Sequence, residues 1–151
     1  MSKSKKPSNG FSGADPALLR NPVSRVSALF LWMSFAGANA GILYFSLLPY
    51  DDLPDFILRI KDLAAHFTGY FILFFVSVST FRVSRLLHLY RHPVRNAFFW
   101  NLTLGLLTEW AQFHVPGRYP GWPDVAANFA GGVSSWAGMN LLRRWNSKRS
   151  R

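Results

Sequence analysis

The chain has no cysteine, which excludes disulfides, thiolate metal sites and cysteine nucleophiles. It is also poor in charge. Asp, Glu, Lys and Arg make up 16% of its 151 residues, well below the roughly 25% of soluble domains. Neither an internal repeat, a Gly-rich phosphate loop nor a recognisable nucleophile motif occurs, and no connection is long enough to hold a separate soluble domain. Aromatic residues, by contrast, reach 17%, with fourteen Phe and six Trp, a composition suited to lipid-facing surfaces and interfacial belts. The mean hydropathy of +0.09 conceals this, because the apolar residues come in blocks and the charges fall between them.

Four such blocks can be read. The first, residues 26–48, would be ~34 Å long as a helix, enough to cross a ~30 Å hydrocarbon core with some tilt. Ala38-Asn39-Ala40 resembles a signal-peptide cleavage site, but the apolar run continues beyond it, which favours a retained span. The second block covers 63–83, the third 94–113, and the fourth, shorter one 125–142. In the fourth, Ala127, Gly131 and Ser135 recur at four-residue intervals, as do Ala130, Ser134 and Gly138; small-xxx-small faces of this kind let helices approach closely. The sequence therefore predicts an all-α polytopic membrane bundle of four transmembrane helices over 26–142. A flexible basic tail at 1–25 precedes it and a basic tail at 143–151 follows.

Positive charge sets the orientation. The two tails and the connection at 84–93 with its edges hold fourteen of the seventeen Lys and Arg, while Arg59, Lys61 and Arg118 lie on the other side. Under the positive-inside rule both termini are cytoplasmic. The formal net charge of +10 then follows from topology, and no nucleic-acid partner is expected.

On this topology the polar residues gather at the outer ends of the helices. Asp62, His66 and Tyr70 are spaced by four and share one helix face. Glu109 and Gln112 lie near the end of the third block, Asp124 and Asn128 at the start of the fourth, and Arg118 in the loop between them. Ionisable groups at membrane depth are costly and usually face a bundle interior or a wet cavity, so these eight residues predict an outward-facing polar pocket. Glu109 is expected either to pair with Arg118 or to be protonated. Each residue also has a plainer role open to it. Glu109 and Arg118 could be a structural clamp, His66 and Asn128 could make interhelical hydrogen bonds, and Asp124 could N-cap the fourth helix. His88 and His92 fall in the basic connection and read as lipid-surface residues.

The order of these motifs resembles the VanZ-like membrane proteins. It runs Ser46-Leu47-Leu48-Pro49; Asp62-x-x-x-His66-Phe67-x-x-Tyr70; Gly105-x-x-x-Glu109-x-x-Gln112; Pro116-x-Arg118; Asp124-x-x-x-Asn128 with Gly131. The resemblance covers positions 44–132. Leu63 stands where the family commonly has a Lys, and 119–123 is richer in Pro than is usual there. The resemblance implies a bacterial cytoplasmic (inner) membrane location and a role in the cell envelope. The family is named for a protein linked to resistance to the glycopeptide antibiotic teicoplanin, a phenotype not carried over to this chain.

The leading functional expectation is a pocket that binds or modifies the headgroup of a membrane lipid, such as a lipid-linked phosphate or glycan envelope precursor. Arg118 would contact phosphate, and His66, Tyr70, Gln112 and Asn128 would supply hydrogen bonds. A catalytic version would use Glu109 or Asp124 as general base with His66 as proton partner. Asp62, His66, Glu109, His114 and Asp124 are oxygen and imidazole donors in one region, but their spacing matches no metal motif, so neither metal nor cofactor is assigned. The competing expectation is a non-catalytic structural or transport-associated protein whose polar cluster is an interhelical clamp.

Overall fold

The computed structural model describes residues 22–55, 62–119 and 121–149. Most of the tail expected at 1–25, residues 1–21, lies outside them. Among the described residues there are five α-helices, one short 3-10 turn and no strand. Helix α1 spans Pro22–Leu47, the 3-10 turn Tyr50–Asp52, α2 Asp62–Arg82, α3 Leu87–Arg91, α4 Pro93–Gln112 and α5 Trp122–Arg149.

Two segments differ from the sequence expectation. The connection at 84–93 contains α3, a helix of five residues, too short to display a periodic pattern. It is held from both sides: Ser84 Oγ accepts from the Leu86 amide at 3.1 Å, and Asn96 Nδ2 donates to the His88 carbonyl at 2.7 Å. His88 and His92 are exposed. Helix α5 runs seven residues past 142, through the segment read as a tail. Nothing in 143–149 breaks a helix, and basic side chains at a helix C-terminus complement its dipole. Arg149 lies over the Trp145 ring at 5.6 Å one turn earlier.

Helix α2 is the centre of the bundle and packs most extensively against α5, then against α1 and α4. Its buried residues Tyr70, Leu73, Phe74, Ser77, Val78, Thr80 and Phe81 recur at three- and four-residue steps, one broad face of a helix. Phe74, Val78 and Phe81 form one core cluster with Ala97 of α4, bordered by Phe35, Phe98 and Met139. Tyr70, Leu73 and Leu104 form a second, bordered by Ala38 and Ile42.

The small-residue faces of α5 divide in two. Ala127, Gly131 and Ser135 point inward, whereas Ala130 and Ser134 are exposed and a Cβ at Gly138 would meet nothing within 4 Å. At Gly131 a Cβ would collide with the Phe67 carbonyl and sit 2.9 Å from the Phe71 nitrogen. The α2 and α5 backbones are thus in contact there, an approach that only glycine permits.

Two helices, Arg25–Leu47 and Asp62–Arg82, are long and apolar enough to cross a bilayer. Helices α4 and α5 have the length but not the composition, and their structure explains why. Helix α4 buries Asn101, Thr108, Glu109 and Gln112 while exposing Phe99, Leu102, Leu106, Leu107 and Trp110. Helix α5 buries Asp124, Asn128 and Ser135 while exposing Phe129, Trp136, Leu141 and Leu142.

Candidate functional site

The end of α1, the start of α2, the end of α4 and the start of α5 come together at one end of the bundle. Asp62 opens α2, and His66 and Tyr70 follow one and two turns later. Glu109 and Gln112 lie in the last turns of α4. Asp124 and Asn128 occupy the first two turns of α5. Gly117, with φ of +72°, takes the left-handed conformation that glycine tolerates and turns Arg118 back towards α1.

His66 is the hub. Its side chain is 9% exposed. Nδ1 lies 3.0 Å from Asn128 Oδ1, a contact in which Nδ1–H donates and the amide oxygen accepts. Nε2 lies 3.8 Å from Asp62 Oδ1, and Nδ1 lies 3.8 Å from Glu109 Oε1. Asp62, His66 and Asp124 each present a donor atom within 4.8 Å of the others. The three residues considered for proton transfer, Glu109, His66 and Asp124, therefore converge. His114 does not join them: it is exposed, and its ring meets Trp110 edge-on at 5.3 Å.

Glu109 is 6% exposed, and its partner is not the arginine. Oε2 accepts from the Gly121 amide at 3.2 Å, fixing the loop to α4, while Oε1 is buried without a hydrogen-bond partner. Arg118 instead donates from Nε to the Leu48 carbonyl at 3.1 Å and from Nη2 to the Phe45 carbonyl. Gln112 Nε2 donates to the Ser46 carbonyl at 3.0 Å. The carbonyls of Phe45 and Ser46 belong to the last turn of α1, which has no intrahelical donors for them. Arg118 and Gln112 are thus the C-terminal cap of α1, and the guanidinium also complements the negative end of its dipole. The expected Glu109–Arg118 pair is replaced by two separate anchors.

Asp124 departs from its expected capping role as well. Helix α5 begins at Trp122, so Gly121 stands at the cap position and Asp124 sits in the first turn. There its carboxylate still favours the helix N-terminus but remains available to the cluster. Tyr70 is buried, with its hydroxyl 3.2 Å from Thr108 Oγ1. Thr108 and Gly121 are partners the sequence did not single out; neither carries a charge or a periodic signal. Gly105 lies close beneath: a Cβ there would be 3.3 Å from Asn128 Nδ2 and 3.5 Å from the Tyr70 ring.

Beside the cluster a cleft of about 350 Å³ runs between α1 and α2. Ala38, Gly41, Ile42 and Phe45 form its apolar wall, and Asp62, His66, Gln112 and Arg118 form its polar end. Ala38-Asn39-Ala40 lies within uninterrupted helix. Asn39 Oδ1 accepts from Trp100 Nε1 of α4 at 2.8 Å and so ties α1 to the bundle. Comparison of the chain with protein-family models, with curated proteins and with solved structures found no match.

Proposed function

We propose that the chain is a four-span, VanZ-like protein of the bacterial inner membrane, with both termini cytoplasmic, that binds a lipid carrying a phosphate or glycan headgroup. The acyl chains would lie along α1 in the α1–α2 cleft, and the headgroup would meet His66, Asp62 and the remaining guanidinium N–H groups of Arg118. The membrane reading draws support from polarity. No residue of the apolar α1 window is buried, and Leu29, Phe30, Met33 and Tyr44 are all largely exposed. A surface of this kind suits an apolar solvent. Helices α4 and α5 add to it, since their polar residues face inward and their aromatic and aliphatic residues outward, as expected for spans that meet lipid.

The observation that carries the ligand class is the cleft: an apolar wall along the last turns of α1, from Ala38 to Phe45, ends in the donors of His66, Gln112 and Arg118 and the carboxylate of Asp62. Such mixed lining, at about 350 Å³, matches sites that bury a small amphiphile and orient it by a few polar groups. Gly41 provides the test, because it lines the cleft and a Cβ there meets nothing within 4 Å. Gly41→Leu should fill the cleft without disturbing the fold. Native mass spectrometry of detergent-purified protein should show a phosphate- or glycan-bearing lipid on the wild type and its loss from Gly41→Leu at unchanged thermal stability. Equal lipid retention by the two proteins would refute the cleft as the site.

The structural reading also rests on a specific observation, the capping of α1 by Arg118 and Gln112. It predicts that the wild type carries only bulk lipid and that Arg118→Ala loses stability alone.

A further inference from the structure

Three carboxylates and one imidazole converge at the outer ends of α2, α4 and α5. Among the described residues, His66 is the sole basic group within ion-pair distance of Asp62 or Glu109, and no Lys or Arg pairs with Asp124. Like charges at such range repel, and partial burial of the site weakens screening by water.

We infer that Asp62, His66 and Asp124 bind a divalent cation with affinity for imidazole, of the Zn²⁺ or Mn²⁺ kind. Three details of geometry lead there. The donor atoms of the three residues lie within 4.8 Å of one another. Tetrahedral ligands at 2.0–2.2 Å from zinc are about 3.4 Å apart, so closure needs a contraction of up to about 1.4 Å. The Asp62–His66 pair already stands at 3.8 Å, and the Asp62 side chain, 67% exposed, can swing towards Asp124. Next, Nε2 of His66 faces Asp62 Oδ1 at 3.8 Å, too far for a direct hydrogen bond and within the span that a shared ion bridges. Its opposite nitrogen is held by Asn128 at 3.0 Å, the arrangement that orients a metal-bound histidine and fixes its tautomer. Lastly, Glu109 Oε1 is buried, unpartnered and 3.8 Å from the same ring. An orphaned acceptor of this kind is costly to bury, and positive charge on the imidazole–cation unit would compensate it.

Two oxygens and one nitrogen are a mixed donor set. Imidazole favours zinc-like ions, whereas all-oxygen sets suit magnesium and calcium. Three protein ligands also leave a coordination position open. The cation site stands on this geometry alone. Only its bearing on a phosphate headgroup, which would otherwise approach three carboxylates, rests on the function proposed above.

The test uses the full chain in detergent, stripped of metal by chelator and dialysed, with Zn²⁺ titrated by calorimetry and Mn²⁺ followed by paramagnetic resonance. The wild type should bind a single ion and gain thermal stability with Zn²⁺. Asp62→Asn removes one ligand from an exposed position, so the fold should persist while affinity falls at least about tenfold and the thermal shift is lost. Asn128→Ala should weaken binding by about 10- to 100-fold, the usual cost of losing a histidine's orienting partner. Failure of the wild type to bind a stoichiometric ion would overturn the inference, as would Asp62→Asn binding like the wild type. Lipid retention in the Gly41→Leu experiment is read without added metal, so either proposal can fail while the other stands.

Discussion

Gly131→Ala should separate the two most extensively packed helices of the bundle, and its cost can be worked from the contact. Ordinary contact for a Cβ begins near 3.4 Å, yet the added atom would lie 2.9 Å from the Phe71 nitrogen and closer still to the Phe67 carbonyl. Both neighbours are backbone atoms inside α2, so neither can rotate aside, and α5 must move out by about half an ångström or more. Overpacking of this kind costs about 1–3 kcal/mol. Alanine returns ~1 kcal/mol through helix propensity, leaving a net loss of up to about 2 kcal/mol. Gly37 and Gly138 serve as controls, because a Cβ at either meets nothing within 4 Å. Alanine there should be neutral or stabilising by about 0.5–1 kcal/mol. Unfolding by SDS in mixed micelles, followed through the fluorescence of the six Trp, should therefore place Gly131→Ala about 1–3 kcal/mol below the controls, the overpacking cost alone. A difference under about 0.5 kcal/mol would show that the helices are not in backbone contact at Gly131, and the packing described for α2 and α5 would be wrong.

Further predictions concern the anchors and the topology. Arg118→Ala should cost about 1–2 kcal/mol, the loss of two charged hydrogen bonds discounted for partial exposure. Because Arg118 and Glu109 have different partners, the double variant Arg118→Ala/Glu109→Gln should be additive within about 0.5 kcal/mol; a larger coupling in the unfolding cycle would restore the ion pair. The lack of cysteine gives a clean background for single-cysteine labelling. In intact bacteria an impermeant maleimide should modify Tyr119→Cys, at a largely exposed loop position, and should reach Lys148→Cys only after permeabilisation. Labelling of both without permeabilisation would contradict the single crossing, by α5, that the four-span reading places between them.

The helices were legible because each apolar block exceeds the length that a packed helix needs, and the observed bounds fall within four residues of the blocks except at the end of α5, which continues seven residues further. Helix α3 was not, since five residues carry no period. The eight site residues were legible as a group, because charge and amide side chains stand out against apolar surroundings. Their pairing was not. Arg118 was matched with Glu109 because a sequence displays side-chain charges, whereas the acceptors that hold the guanidinium are the carbonyls of Phe45 and Leu48, identical in every residue. The Ser46-Leu47-Leu48-Pro49 motif makes the same point. Pro49 prevents continuation of α1, and the motif then contributes through its backbone, which no choice of residue type announces. The placement of Asp124 beside His66 depends on the α2–α5 contact, and that contact is set by Gly131, a residue whose importance lies in the side chain it lacks.

The inverted polarity of α4 and α5 bears on how such a bundle is made. Within the four-span reading, α1 and α2 are apolar enough to partition into lipid singly as they leave the insertion machinery. Helices α4 and α5 are not. Each would strand ionisable or amide groups in hydrocarbon, at up to ~3 kcal/mol for a charge near the centre of a span. Their stable entry therefore requires α2 to be waiting, with the Tyr70 face exposed to receive Thr108 and His66 ready for Asn128. Assembly is in effect templated, the second helix chaperoning the last two. Substitutions at Thr108 or Asn128 should then register first as chains degraded before completion and only afterwards as altered binding.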